Sequence, residues 1–135
     1  MFQLNQLHTM NHTVVKTDKA PAAIGPYSQA VIHNNIVYCS GQIPLHPKSM
    51  EIIEGDIKKQ AVQVMENLNE VLLEAGTNFG KVVKCSIFLD DMRDFQAVNE
   101  VYAGYFGENP PARETVAVQT LPKNVKVEIS CIAYI

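Results

Sequence analysis

After Asp56, apolar residues return at Ile57, Ala61, Val64, Met65, Leu68, Val71, Leu72 and Ala75, the spacing of one helical face. The opposite face holds Lys58, Lys59, Gln63, Glu66 and Glu70, so this helix is expected to cover a sheet. Asp56 supplies an N-cap, and Gly76 stands where such a helix ends. A shorter stripe, Phe95, Val98, Tyr102, Tyr105 and Phe106, predicts a second helix from an Asp94 cap to about Phe106. Asn99 falls between Phe95 and Tyr102 on nearly the same face, where a polar amide requires a partner.

Elsewhere the period is two. Residues 13–16 form a short strand candidate, and 18–27, with Pro21, Gly25 and Pro26, an extended loop. Runs at 29–32 and 36–40 predict a hairpin about His33-Asn34-Asn35, because asparagine accepts positive φ; His33 is read as a turn residue. Residues 41–55 read as a loop in which His46, between Pro44 and Pro47, is solvated. The strand at 81–90 puts Val83, Cys85, Ile87 and Leu89 on one face and Val82, Lys84, Ser86 and Phe88 on the other. Two more strands, 113–119 and 126–135, are joined by Leu121-Pro122-Lys123-Asn124. The order is β-β-β-α-β-α-β-β, an α/β (α+β) fold with two helices on one face of a mixed sheet.

Two helices leave the second face open. By parity it carries Tyr38, Ser40, Ser86, Phe88, Ala117, Gln119, Ser130 and Ile132, neither cleanly polar nor cleanly apolar. Such a face predicts burial against another copy of the chain, with clefts between subunits a natural place for a site.

Composition narrows the function classes. The 135 residues are 47% hydrophobic and 19% charged, enough for one core and incompatible with disorder throughout. Fourteen acids against eleven bases give a net charge of −3, so a phosphate-gripping surface is not indicated. No apolar run reaches the length of a membrane span. Cys39, Cys85 and Cys131 are evenly spaced inside apolar strands, without metal-ligand or redox spacing, and read as buried thiols with no disulfide. Residues 1–12 lack a basic n-region, arginine and an amphipathic pattern; a flexible tail is expected there, followed by a single domain over 13–135. His8 and His12 share a helical spacing but are too few for a metal site, and Met10 is a second candidate start. A cytoplasmic protein is expected, since no clear mitochondrial presequence is present.

Phosphate-loop, dinucleotide, nucleophile-elbow and zinc signatures are absent from the sequence. What remains are polar residues among apolar strands. Arg113 and Thr115 share a strand face. If 121–124 closes a hairpin, Glu128 lands opposite Thr115 or Ala117, and arginine and glutamate share one concave surface. Two readings stand side by side: a structural ion pair, or a site in which Arg113 forks onto a carboxylate and Glu128 handles a water.

Five stretches decide the matter further. Ala-Pro-Ala-Ala-Ile-Gly-Pro-Tyr-Ser-Gln-Ala at 20–30, Ser-Gly-Gln-Ile-Pro at 40–44, Val-Asn at 98–99, Pro-Ala-Arg at 111–113 and Leu-Pro-Lys-Asn-Val-Lys-Val-Glu-Ile at 121–129 resemble the RidA/YjgF family. Its members are enamine/imine deaminases that also carry the labels L-PSP endoribonuclease and translation inhibitor. The resemblance runs in register from Thr13 to Ile135. It implies a chorismate-mutase-like fold, a homotrimer with sites at subunit interfaces, and no cofactor or metal. The implied reaction is hydrolysis of 2-iminopropanoate, 2-iminobutanoate and related 2-imino acids to 2-keto acids and ammonia. Those imines arise from enamines such as 2-aminoacrylate, released by pyridoxal-phosphate-dependent serine/threonine dehydratases. Family site positions fall on Tyr27, Ser40, Asn99, Arg113, Thr115 and Glu128. On this reading Arg113 and the backbone near Thr115 hold the carboxylate and Glu128 activates water, while Tyr27, Ser40 and Asn99 shape the pocket. Many members have cysteine at the position of Thr115 and a small or apolar residue at that of Glu114. The competing readings are an RNA-directed endoribonuclease or translation inhibitor, which the charge does not favour, and a non-catalytic 2-keto-acid-binding trimer.

Overall fold

The computed structural model describes residues 11–135. The tail expected over 1–12, with His8 and Met10, therefore lies outside the described residues apart from positions 11 and 12. Six strands and two helices follow in the expected order: β1 Thr13–Val15, β2 Ala30–His33, β3 Ile36–Gln42, α1 Ile57–Glu74, β4 Val82–Leu89, α2 Phe95–Ala103, β5 Ala112–Ala117 and β6 Val127–Tyr134. No helix is long and apolar enough to cross a membrane among the described residues.

Local chemistry accounts for the element ends. In the β2–β3 hairpin His33 faces Ile36, so the turn is the two-residue Asn34-Asn35, with φ of 51° and 62°. Two consecutive positive φ angles define a type I′ turn, whose twist matches its flanking strands. His33 is thus the last strand residue, not part of the turn; its Nδ1 lies 3.1 Å from the Asn11 carbonyl oxygen. The Asp56 side chain accepts from the Lys59 amide at 3.0 Å and caps α1, and Gly76 leaves that helix at φ 86°. The cap expected at Asp94 is displaced. Asp91 accepts from the Arg93 amide at the start of a 3-10 turn, while Asp94 makes no capping bond. Helix α2 stops at Ala103 instead of Phe106; the chain tightens there into bonds from Tyr105 to Tyr102 and Phe106 to Ala103.

The sheet order is β1-β2-β3-β6-β4-β5, antiparallel except for the β4–β5 pair. Strands β5 and β6 do not form the hairpin expected of them. Strand β4 lies between, and the chain from β5 returns across it. Both helices pack on one face, where Met65, Leu68 and Leu72 of α1 and Val98 and Tyr102 of α2 join Val37, Ile87, Leu89 and Ile129 in one core. Buried Cys39, Cys131 and Cys85 stand in a row across β3, β6 and β4 as free thiols.

Alternation in β4 also departs from simple parity. The β4–β6 register shifts between Val82 and Lys84, so Val82 enters the core and Val83 is turned out. A bulge of this kind adds one residue to one strand and flips the face of everything before it. The open face is real in a single chain: Tyr38, Val116 and Tyr134 lie exposed on it. Its membership in β5 is the reverse of that expected, because Arg113, Thr115 and Ala117 pair with core-facing Cys85, Ile87 and Leu89. Glu114 and Val116 take the open side, next to Ser86 and Phe88.

Candidate functional site

Five of the six expected site residues divide between two clefts, and Thr115 lines neither. The first sits beside the helices at the start of β5. Arg113 Nη1 donates to Asn99 Oδ1 of α2 at 2.7 Å, which gives the amide its partner. The Arg113 guanidinium carbon lies 4.9 Å from the Tyr102 ring centre and 5.7 Å from that of Phe95. These three side chains follow from helical spacing, since positions 95, 99 and 102 project along one stripe. Asn99, Tyr102, Phe106, Pro110, Pro111 and Arg113 line a cleft of about 430 Å³. Thr115 lies on the same side, its Oγ1 buried with no hydrogen-bond partner. No carboxylate pairs with Arg113 among the described residues.

Glu114 does not compete. Strand alternation turns it to the open face, where the Ser86 hydroxyl donates to it and Lys84 Nζ lies 3.0 Å from Oε1. Ser86 first, then Lys84, hold its carboxyl below the ordinary value.

The second cleft, of about 630 Å³, opens on the other side of the sheet and includes Tyr27, Ser40, Gly41, Met50, Lys123 and Glu128. Glu128 faces Phe88 across the β4–β6 ladder, on the open face. Partial burial raises its carboxyl above the ordinary glutamate value, and it has no ion-pair partner among the described residues. Ser40 Oγ donates to the Ser28 carbonyl at 2.6 Å, and Tyr27, 53% exposed, accepts from the Ile24 amide at 3.4 Å.

Two buried amides fix the walls. Gln29 accepts from the Thr17 amide at 2.7 Å and donates to the Thr17 and Pro21 carbonyls at 3.0 and 2.8 Å, pinning the loop that carries Tyr27. Asn67 of α1 donates to the Ile43 and Leu45 carbonyls, pinning the chain after β3. His46 is exposed, with its Nδ1 accepting from the Lys48 amide.

Arg113 and Glu128 therefore do not share a surface within one chain. They point to opposite faces of the sheet, because β4 intervenes and the register aligns Arg113 with Cys85 but Glu128 with Phe88. One cleft offers an uncompensated cation, the other an unpaired carboxylate. Among the described residues no three His, Cys, Asp or Glu side chains converge as metal ligands would.

Four contributors were not singled out in the sequence. Phe95 and Tyr102 were legible as an apolar stripe, but their contact with Arg113 was not. Lys123, at φ 56° beside Pro122, reaches the second cleft through a conformation that non-glycine residues seldom adopt. Gly41 is the fourth. A glycine inside a strand pattern signals a bulge or a close approach, and here it marks both. The β3–β6 register shifts between Cys39 and Gln42, and a Cβ at Gly41 would lie 2.6 Å from Glu128 Oε2. Under the hydrolysis that the resemblance implies, Gly41→Ala is expected to push the carboxylate aside and lower activity by roughly tenfold or more, with melting temperature changed by only about a few degrees. Steady-state kinetics and a thermal melt check this, and wild-type kcat/KM in the variant would contradict it.

Comparison with known proteins finds relatives over most of the chain. The family model described as Endoribonuclease L-PSP matches residues 17–135. A RutC family protein of Pyrococcus abyssi is 49% identical over 125 residues, covering 93% of this chain and 98% of that one. The human 2-iminobutanoate/2-iminopropanoate deaminase is 45% identical over 120 residues, 89% of this chain and 88% of that one. Among solved structures, E. coli TdcF with bound serine superposes with a TM-score of 0.86 at 40% identity, covering 91% of this chain and 98% of that one.

Proposed function

The chain belongs to the RidA/YjgF (endoribonuclease L-PSP) family, and from that premise we propose that it hydrolyses small 2-imino acids to 2-keto acids and ammonia. The observation that carries the reading is the separated pair of unneutralised groups, Arg113 in one cleft and Glu128 in the other. A guanidinium without a resident acid suits a substrate carboxylate, which it can grip bidentately. A desolvated carboxylate without a resident base suits a water that must lose a proton.

The chemistry needs both groups on one substrate, and one chain holds them apart. A second copy seated on the open sheet face would bring the Glu128 cleft of one subunit to the Arg113 cleft of the next; closed rotational symmetry then gives one equivalent site per interface, and the resemblance to the family implies three copies. The exposed Tyr38, Val116 and Tyr134 supply apolar area for that contact.

In the reaction, Arg113 holds the carboxylate and fixes the adjacent C=N carbon. Water adds to the carbon of the protonated imine while Glu128 accepts one of its protons, giving a neutral carbinolamine. Glu128 returns that proton to the nitrogen and takes up the hydroxyl proton as C=O forms and the C–N bond breaks, so that the nitrogen leaves as ammonia. Asn99, tied to Arg113 through its Oδ1, acts on the clamp. Thr115 keeps a hydroxyl where many relatives have a thiol.

The test is a coupled assay in which a serine or threonine dehydratase generates the imine and semicarbazide traps it. Catalytic amounts of the protein are expected to suppress semicarbazone formation. Unchanged trapping by folded protein would overturn the reading, leaving 2-keto-acid binding without turnover or an RNA target to be tested next.

A further inference from the structure

We propose that the rings of Tyr102 and Phe95 are positioning elements for Arg113, holding its guanidinium in the carboxylate-binding orientation while the cleft is empty. This rests on the reading of Arg113 as the clamp for a substrate carboxylate.

A half-buried guanidinium normally recruits an acidic neighbour, because a charge removed from water needs compensation. Arg113 has none among the described residues, and the one adjacent carboxylate, Glu114, is turned away to Lys84. What surrounds Arg113 instead is a neutral amide oxygen at 2.7 Å and two aromatic rings at 4.9 and 5.7 Å. Ring faces carry negative potential and attract a cation without neutralising it. A resident aspartate or glutamate would restrain the side chain as well, but would compete with the substrate for the same N–H groups. The rings restrain it and leave its full charge for the ligand, which is preorganisation in the strict sense.

Tyr102 itself indicates that the ring is the selected part. The residue is 5% exposed, and its hydroxyl is buried beside the Cys85 thiol, with no hydrogen bond to Arg113 or Asn99. A buried hydroxyl that meets only a thiol, a weak hydrogen-bonding group, gives nothing to the clamp. Its removal should therefore be harmless to binding, whereas removal of the ring should not. Phe95, on the same helical stripe and without a hydroxyl, serves the same purpose from two turns earlier.

Three variants, Tyr102→Phe, Tyr102→Leu and Phe95→Leu, separate ring from hydroxyl. Two readouts are used on the full-length protein: the 15N resonances of the Arg113 guanidinium without ligand, and the Kd for 2-oxobutanoate together with KM and kcat for the trapped imine. Tyr102→Leu is expected to move the Arg113 signals to random-coil positions and to raise Kd and KM about tenfold, with kcat within about twofold of wild type. Phe95→Leu should do the same to a smaller degree. Tyr102→Phe should keep the wild-type Arg113 signals and Kd, and melt at the same or a higher temperature. The inference is overturned if Tyr102→Leu and Phe95→Leu leave the Arg113 signals in place, or if Tyr102→Phe loses binding as Tyr102→Leu does. Should Tyr102→Leu fail to fold, Phe95→Leu and Tyr102→Phe decide by the same criteria. Failure of the deaminase reading looks different: wild-type protein neither binds 2-oxobutanoate nor turns over imine, while the Arg113 signals still respond to loss of the ring.

Discussion

Arg113→Ala is expected to lower kcat/KM for 2-iminobutanoate by about 10- to 150-fold, the equivalent of losing a charge-assisted hydrogen bond worth about 1.5–3 kcal/mol. The loss should appear chiefly in KM, because the carboxylate is gripped in the ground state and in the transition state alike. Arg113→Lys keeps the charge and loses the planar fork, so its kcat/KM should fall between the two. Folding should survive both changes: the residue stands near the start of an edge strand, and its polar partner among the described residues, Asn99 Oδ1, opens onto the cleft. Steady-state kinetics with a thermal melt on each variant measure this. Full activity in Arg113→Ala would remove Arg113 from the mechanism.

Glu128→Gln should act on turnover instead. Removing a positioned general base is expected to reduce kcat by about 10²- to 10⁴-fold. Because burial raises the Glu128 carboxyl, the acid limb of the wild-type rate profile should lie above the pH at which an ordinary glutamate titrates. The stability effect has the opposite direction. A carboxyl whose folded pKa exceeds its unfolded value of about 4.3 keeps its proton longer when folded, so folding loses stability as pH rises through that window. At neutral pH the ionised side chain is therefore a net burden on the fold, and glutamine in its place should melt at the same or a higher temperature. Below about pH 4 both side chains are neutral and the difference should vanish. Melts at two pH values, beside the kinetics, check the pair of expectations; a variant that is less stable at neutral pH yet still active would contradict both.

How much of this was readable beforehand depended on the range of the interaction. Helix α1 was legible because its eight apolar positions, Asp56 and Gly76 all act within one or two turns. The Asn34-Asn35 turn was legible for the same reason. The neighbour of β5 was not. A four-residue link at 121–124 looks like a hairpin, yet pairing is settled by which strand buries its apolar side best, and β4 takes β5 in parallel while β6 fills the gap between β3 and β4. That single non-local choice reversed the face of Arg113 and Thr115 relative to Glu128, and so divided one expected site into two clefts. The bulge that exchanges Val82 for Val83 was equally hidden, since period-two parity has no means of registering an extra residue. Residue identities fared better: Asn99 was recognised as an amide in need of a partner, and Arg113 proved to be that partner.

The place of β6 in the sheet has a consequence for how the chain is made. Strands β1 to β3 form one antiparallel block and β4 with β5 another, and the two blocks touch as a sheet only through β6. During synthesis the N-terminal blocks leave the ribosome first, with the inner edges of β3 and β4 bare and the seats of Ile129, Cys131 and Ala133 in the core vacant. Strand β6 is the keystone. A nascent chain stalled before Val127 presents two adhesive edges at once, and the arrival of β6 is what pairs both of them.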